Sequence, residues 1–299
     1  MTEERKQEIL NIIKKTNRRP ASAAPSYPKE IRAYLERCEA IRSITRTVDG
    51  FSYRMDILNA KNRSADCPVF INIHGGGFIG PHRENDSYYS AYVADQIRGI
   101  TVDIDYTLSD TAPYPVALYQ CMDALDYVVS HVEEWGASKE NITVAGYSAG
   151  ASLTAAMGIC CAEREGFMPK LLILAYPPLE YRIPDQYKID SYDRQIGMER
   201  SKAFADLYFD DKKENFEDYH NSPLYAPTEL LARQPKTLII SAGLCNFRYE
   251  DEDYALCLAE AGVEVILKRF PGKSHGFIPH FMEGWKEATE LMVREIVED

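Results

Sequence analysis

The sequence has no apolar run that is long enough to cross a membrane. A spanning helix needs roughly 18 or more apolar residues, and no segment of the 299 residues reaches that length. Residues 1–15, MTEERKQEILNIIKK, are charged and amphipathic, so they lack the apolar centre of a signal peptide. We therefore expect a cytoplasmic protein that has no membrane partner.

Basic charge is also scarce. The chain carries 34 Lys and Arg against 46 Asp and Glu, a formal net charge of −12, with no long block of one sign. A nucleic-acid partner is not expected, because phosphate binding needs a basic face. The residues leave open whether two chains associate as a homodimer.

Cysteines are few, and their spacing is not that of a metal or redox motif. There are seven, an odd number; Cys160 and Cys161 are adjacent, and no C-x-x-C pair occurs. This pattern argues against a disulfide framework and against a zinc site. We expect reduced thiols, as is usual inside cells, and neither a metal ion nor an organic cofactor.

Short β-rich segments dominate the chain from about Ile41. Residues 41–48 and 51–58 flank Asp49-Gly50, which predicts an antiparallel hairpin. Further along, apolar strands alternate with helical periods, which predicts a mostly parallel central sheet flanked by helices, an α/β fold. Ligands then bind at the carboxyl ends of the strands.

Two segments fall outside this alternation. Residues 1–40 are predicted to form helices around a connector containing Pro and Ala, and residues 179–232 to form a helical insertion in the main domain, 41–299. We expect the two to build a cap over the sheet; the alternative is a solvated excursion without ligand contact. Its aromatic residues favour burial: Tyr181, Tyr187, Phe204, Tyr208 and Phe209.

A serine motif joins a strand to a helix. GYSAG, residues 146–150, follows strand NITVA and opens a helix, the setting of a nucleophile elbow. Glycines on either side leave room for a strained backbone. Ser148 is therefore the candidate nucleophile, and its alternative role is a helix N-cap.

A glycine run provides candidate main-chain donors. HGGGF, residues 74–78, follows strand VFINI. With the amide of Ala149, those of Gly75 and Gly76 are predicted to form an oxyanion hole. His74 is predicted to brace this loop. A phosphate cradle is the rival reading, but no Walker or dinucleotide motif accompanies it.

A histidine follows the last predicted strand. His275, in KSHGF, lies downstream of Ser148, and an imidazole can act as a base near neutral pH. The intervening turn, SAGLCNFRYEDED, is where the acid of the triad is expected. Cys245 occupies that position. The order serine, acid position, histidine is the order found in hydrolases.

Together, HGGGF, GYSAG, DYTLSDTAPYP and HGF resemble the hormone-sensitive-lipase-like branch of the α/β-hydrolase fold, including bacterial carboxylesterases and acetyl esterases. The resemblance runs from about Ile41 to the end. It implies a small-molecule ester substrate, no cofactor, Ser148 as nucleophile, His275 as base, and Gly75, Gly76 and Ala149 as oxyanion donors. It also implies that residues 1–40 and 179–232 form the cap.

The chain departs from this family pattern at three places. Tyr147 precedes the nucleophile where the family has Asp, and Thr107, Asp110 and Thr111 replace the usual Arg, Pro and Glu. Cys245 stands where the family has its triad acid. A neutral thiol orients an imidazole poorly, and losing the carboxylate costs about ten-thousandfold in turnover in another serine hydrolase.

Three outcomes remain open for the acid. In the first, another carboxylate reaches His275, and the candidates are Glu180, Glu250 and Asp251. The last two also suit the first turn of a helix. Alternatively, Cys245 is itself a weak or ionised partner, or a small buried residue. Finally, the protein is a catalytically weak relative that binds a small molecule. The natural substrate and its acyl length are not evident from the sequence.

Overall fold

A computed structural model describes residues 1–16, 27, 29–39, 41–183 and 197–298. These residues form one eight-stranded sheet. Its strands are β1 Arg42–Val48, β2 Phe51–Asn59, β3 Cys67–Ile73, β4 Ile100–Asp105, β5 Ala137–Tyr147, β6 Leu171–Ala175, β7 Lys236–Ala242 and β8 Val265–Phe270.

Helices precede, follow and connect these strands. The α-helices are α1 Glu3–Lys15, α2 Lys29–Arg32, α3 Glu84–Ile97, α4 Val116–His131, α5 Ala149–Arg164, α6 Met198–Tyr208, α7 Lys213–Glu217, α8 Thr228–Leu231, α9 Arg248–Glu260 and α10 Trp285–Val297. Short 3₁₀ helices cover Ala33–Arg37, Val132–Trp135 and Pro223–Tyr225. The 3₁₀ helix Val132–Trp135 directly continues α4 beyond His131.

The strand order is β1-β2-β4-β3-β5-β6-β7-β8. The predicted hairpin is present: β1 and β2 are antiparallel, and β2 is also antiparallel to β4. All the other neighbouring strands are parallel. The predicted mostly parallel sheet flanked by helices is confirmed.

Both faces of the central strands are buried, which explains their almost continuous apolar character. On one face, β3 and β5 residues such as Ile71 and Val144 pack with Leu125 of α4 and Leu153 of α5. Phe70 faces the opposite side, in a second core that contains residues of α3 and α10. The strands therefore hold their carboxyl-terminal loops on a rigid base.

The N-terminal helix packs on the insertion rather than on the sheet. Ile9 and Ile13 of α1 lie in a small apolar cluster with Ala203 and Leu207 of α6. Arg5 forms ion pairs with acidic residues in and just after α6. In contrast, α2 and the 3₁₀ turn that follows it contact α3.

The insertion contains α6, α7, a 3₁₀ turn and α8. Of the five aromatic residues predicted to be buried, Tyr208 and Phe209 are fully buried, Tyr181 and Phe204 are half-buried, and Tyr187 lies outside the described residues. Phe78, at the end of the glycine run, stacks on Tyr208 with ring centroids 3.7 Å apart. The insertion is thus in contact with the loop that follows β3. In the described ranges, no helix has the length and apolar composition needed to cross a membrane.

Candidate active site

The turn between β5 and α5 holds Ser148 in a strained conformation. Its φ is 55° and its ψ is −122°, a region that residues other than glycine rarely adopt. Its N–H donates to the carbonyl of Ala175 at 2.9 Å, which ties the turn to the end of β6. This strand-turn-helix geometry places the Ser148 hydroxyl at the carboxyl-terminal edge of the sheet, as the GYSAG motif predicts.

The glycines of this motif are required by close main-chain contacts. A Cβ on Gly146 would lie 2.1 Å from the carbonyl oxygen of Gly150, and one on Gly150 would lie 2.1 Å from that of Ile73. Backbone atoms of a strand and a helix cannot move away as a flexible side chain can. The first turn of α5 therefore packs directly on the ends of β3 and β5.

Replacing Gly146 with alanine is expected to lower the free energy of unfolding by about 3 kcal/mol, at the upper end of overpacking costs. Urea denaturation of the variant measures this loss. Gly166→Ala is the control, because its Cβ would meet nothing closer than 4.0 Å, and a change within about 0.5 kcal/mol is expected there. An equal loss of unfolding free energy in the two variants would contradict the close packing of Gly146 on the carbonyl of Gly150.

His275 lies between Ser148 and Cys245. Its Nε2 is 2.8 Å from Ser148 Oγ, and its Nδ1 is 3.1 Å from Cys245 Sγ. The three residues come from the loops that follow β8, β5 and β7. The structure therefore brings together the three positions that the sequence places far apart.

Aromatic rings enclose the imidazole of His275. Tyr176 packs edge-on at 4.9 Å between centroids, and Phe247 does so at 5.6 Å. Burial, together with the nearby His280, lowers the pKa of His275 to about 3. The imidazole is therefore neutral near pH 7, the form that accepts a proton.

The thiol of Cys245 is a less decisive partner than a carboxylate. An ionised carboxylate only accepts hydrogen bonds and so forces the proton of a neutral imidazole onto Nδ1, whereas a thiol also donates. The N–H of Phe247 approaches Sγ at 3.4 Å. When the thiol accepts a hydrogen bond from Nδ1–H, Nε2 carries no proton and can accept the one from Ser148. When the thiol donates to Nδ1 instead, the ring proton lies on Nε2, which then cannot accept the serine proton.

The three alternative carboxylates have other environments. Glu250 accepts the N–H groups of Leu179 and Glu180 through Oε2, at 2.7 and 2.9 Å. Glu180 in turn accepts the N–H of Ile183 at 3.0 Å and that of Arg182. Glu250 thus braces the chain after β6, while Nδ1 of the imidazole faces the thiol.

Asp251 is fully buried in the first turn of α9. Burial raises its pKa well above the ordinary range. Burial thus disfavours the charged form of this carboxyl group, which is the form that would stabilise an imidazolium.

The glycine run after β3 lies against the serine turn. A Cβ on Gly75 would be 3.2 Å from Ser148 Cβ, so its backbone is next to the candidate nucleophile. Gly76 has φ 122°, and the N–H of Gly80 donates to its carbonyl at 2.8 Å. Amides in the first turn of a helix, such as that of Ala149, have no partner within the helix.

His74 is placed behind this loop rather than at the serine. Its ring stacks on Tyr106 with centroids 4.3 Å apart, and Nδ1 lies 2.7 Å from the carbonyl of Gly75. The Tyr106 hydroxyl donates to the carbonyl of His74 at 3.1 Å. Burial lowers the pKa of His74 to about 4, so the ring is neutral. These contacts agree with the predicted bracing role.

Sequence reasoning missed the aromatic walls around the imidazole and the bracing by Glu250. Tyr176 directly follows β6, and Phe247 lies two residues beyond Cys245, so proximity to a strand end was the available signal. The ring of Tyr147, the residue before the serine, is buried in the core formed with α3 and α10, where it packs edge-on to Tyr89 with centroids 5.4 Å apart.

A cavity of about 870 Å³ lies between α6, α7 and the chain after β6. Its described lining includes Tyr181, Met198, Lys202 and Phe216, and neither Ser148 nor His275. It belongs to the insertion, and it is not the space into which the serine hydroxyl opens.

A profile of the α/β-hydrolase fold matches residues 70–279. Among curated proteins, an arylesterase of Saccharolobus solfataricus is 27% identical over 222 residues, which cover 70% of this chain and 68% of that one. Hormone-sensitive lipase of Bos taurus is 33% identical over 109 residues, 36% of this chain and 14% of the lipase.

Solved structures show the same likeness. A thermostable esterase of Pseudomonas putida ECU1011 is 25% identical with a TM-score of 0.77, covering 99% of this chain and 96% of that one. Carboxyl esterase 2 of Tuber melanosporum is 23% identical with a TM-score of 0.80, covering 97% of each, and supports the fold alone. The predicted resemblance to the hormone-sensitive-lipase-like branch is confirmed.

Proposed function

Because the chain belongs to the α/β-hydrolase family, we propose that it is a serine hydrolase that cleaves short-chain carboxylic esters through an acyl-enzyme intermediate. One observation carries this proposal. A strained serine hydroxyl lies 2.8 Å from a buried, neutral imidazole, beside the glycine run.

The reaction begins when Ser148 Oγ attacks the ester carbonyl carbon and His275 Nε2 takes the hydroxyl proton. The carbonyl oxygen becomes an oxyanion, which accepts hydrogen bonds from the amides of Gly75, Gly76 and Ala149. The carbon–oxygen bond to the alcohol then breaks, and His275 returns its proton to that leaving oxygen. Water then attacks the acyl-enzyme by the same steps and releases the carboxylic acid product.

The site is poorly suited to the protonation of His275. Attack converts the imidazole to an imidazolium, and burial among aromatic rings disfavours that form. The thiol of Cys245 offers a hydrogen bond without a full negative charge. We therefore propose a slow enzyme, in which the nucleophile and the oxyanion donors supply most of the rate enhancement.

Short acyl groups are favoured by the contacts between the insertion and the glycine run. A Cβ on Gly77 would lie 2.5 Å from the ring of Phe204, and Phe78 stacks on Tyr208. Two aromatic residues of α6 therefore limit the space above the oxyanion loop. We propose that α1 and the insertion act together as the cap of this small acyl pocket.

A series of p-nitrophenyl esters from acetate to decanoate tests the acyl length. We expect kcat/KM to be highest from acetate to butyrate and to fall about tenfold or more at decanoate, because extra methylenes meet the aromatic wall. Phe204→Ala should recover part of the long-chain activity. A rate that rises with chain length would contradict the small pocket.

Covalent labelling separates an enzyme from a binding protein. A fluorophosphonate probe is expected to form an adduct at Ser148, with loss of fluoride, that mass spectrometry locates on the peptide containing GYSAG. Ser152→Ala is the control, because that hydroxyl is buried and donates to the carbonyl of Pro178 at 2.6 Å. Probe binding without an adduct would instead favour a small-molecule binding protein on a hydrolase scaffold.

A further inference from the structure

A second cluster of reactive side chains lies at the far end of α5. Cys160 and Glu163 occupy its last turns, and His220 follows α7. One atom from each, Sγ, a carboxylate oxygen and a ring nitrogen, lies within 4.8 Å of the others. Cys160 is twelve residues beyond Ser148, or about 18 Å along a helix at 1.5 Å per residue. The ester site does not use this cluster.

We propose that Cys160, Glu163 and His220 bind one zinc ion. Thiolate, imidazole and carboxylate are the three ligand types that zinc takes from proteins, and three protein ligands leave the fourth tetrahedral position to water. A soft thiolate beside an imidazole disfavours magnesium and calcium, which prefer oxygen ligands.

The orientation of each polar ligand is fixed by a second contact. His220 Nδ1 is 2.8 Å from Asp218 Oδ1, which leaves Nε2 facing Glu163. Asp218 is itself held by the hydroxyl of Tyr114 at 2.7 Å, and Glu163 Oε1 accepts the hydroxyl of Tyr219 at 2.6 Å. A carboxylate behind a metal-binding histidine is the usual support of zinc ligands in proteins.

His220 and Glu163 need only a small adjustment to admit the ion between them. His220 Nε2 and Glu163 Oε2 are 2.9 Å apart. Two ligands at about 2.0 Å from a tetrahedral ion are roughly 3.3 Å apart. Glu163 is exposed, so its carboxylate can shift by a few tenths of an ångström without disturbing the core.

The proposed ion would join two parts of the fold that are distant in the chain. Glu163 and His220 are 57 residues apart, and the ion would fasten the chain after α7 to the end of α5. A metal that binds only the folded form raises the midpoint of thermal unfolding. We therefore expect the ion to stabilise the fold, and because it lies away from Ser148 a chelator should leave ester hydrolysis near its original rate.

Cobalt substitution tests the site without relying on activity. Co²⁺ added to the metal-free protein is expected to produce a near-ultraviolet band from thiolate-to-cobalt charge transfer, and Zn²⁺ should abolish that band by displacement. Cys160→Ser should lose the band. Cys257→Ser, which removes another half-exposed thiol, should keep it.

A conservative variant controls for misfolding. Asp218→Asn leaves all three ligands in place but weakens the support of His220, so zinc affinity measured by dye competition should fall about tenfold. The alternative is an imidazolium held between Glu163 and Asp218 with Cys160 uninvolved. Absence of the thiolate band, its persistence in Cys160→Ser, or its loss in Cys257→Ser would overturn the proposal.

Discussion

A Cys245→Asp variant is expected to hydrolyse p-nitrophenyl acetate at least about 100-fold faster than the wild-type protein. The carboxylate would occupy the position from which Sγ now contacts His275 Nδ1 at 3.1 Å. Removing the acid from a complete triad costs about 10⁴-fold in turnover, which sets the upper limit of the gain. Steady-state kinetics at pH 8 measures it.

The gain has two physical sources. A carboxylate stabilises the imidazolium that forms during attack, and because it only accepts hydrogen bonds it fixes the proton of the resting imidazole on Nδ1. The N–H of Phe247, which now approaches Sγ at 3.4 Å, is placed to donate to the new carboxylate. Unchanged or lower turnover would show that position 245 is not the acid site.

Cys245→Asn is the matched control, because it has the shape of aspartate without the charge. It should remain within about tenfold of wild type and well below the aspartate variant, since charge rather than size is the missing element. Equal gains in the two variants would assign the effect to packing around the imidazole.

The pH profile should change with the kinetics. In the wild type, burial holds the pKa of His275 at about 3, so the base stays neutral and active as the pH falls well below 7. A carboxylate at position 245 favours the imidazolium and raises this pKa. Activity is lost as the pH falls through the pKa, so the acid limb of kcat/KM should lie at higher pH in Cys245→Asp.

The sequence was sufficient to predict the fold and the approximate place of the site. Apolar strand runs separated by helical periods predict a parallel sheet, and a parallel sheet gathers the loops after its strands at one edge. Ser148, Cys245 and His275 each lie in the loop that follows a strand, so their proximity follows from topology. The strained turn at Ser148 follows from the glycines that flank it.

Contacts between segments that are distant in the chain could not be predicted in the same way. An amphipathic pattern indicates that α1 buries one face, but not that this face meets α6. Glu250 suits the first turn of a helix by its charge, but its hydrogen bonds to the amides after β6 depend on how α9 packs on the sheet. A motif such as C-x-x-C cannot predict that Cys160 and His220 lie close together, because the two residues belong to different elements of the fold.

Ser148→Ala is expected to lower kcat/KM for p-nitrophenyl acetate by about 100-fold in the wild-type background. The modest size follows from the missing acid. In another serine hydrolase, loss of the nucleophile costs about 2 × 10⁶ and loss of the acid alone about 3 × 10⁴, so a site without its acid has about 10² left to lose.

The same substitution should cost far more once the acid is restored. Ser148→Ala in the Cys245→Asp background is expected to reduce turnover by about 10⁴ to 10⁶, since residues of a triad act as a unit and their effects are not additive. The two alanine variants should therefore have similar residual rates although their parents differ widely. Turnover that survives Ser148→Ala in both backgrounds would mean that another group attacks the ester. A serine effect that is equal in both would mean that the new carboxylate does not act through His275.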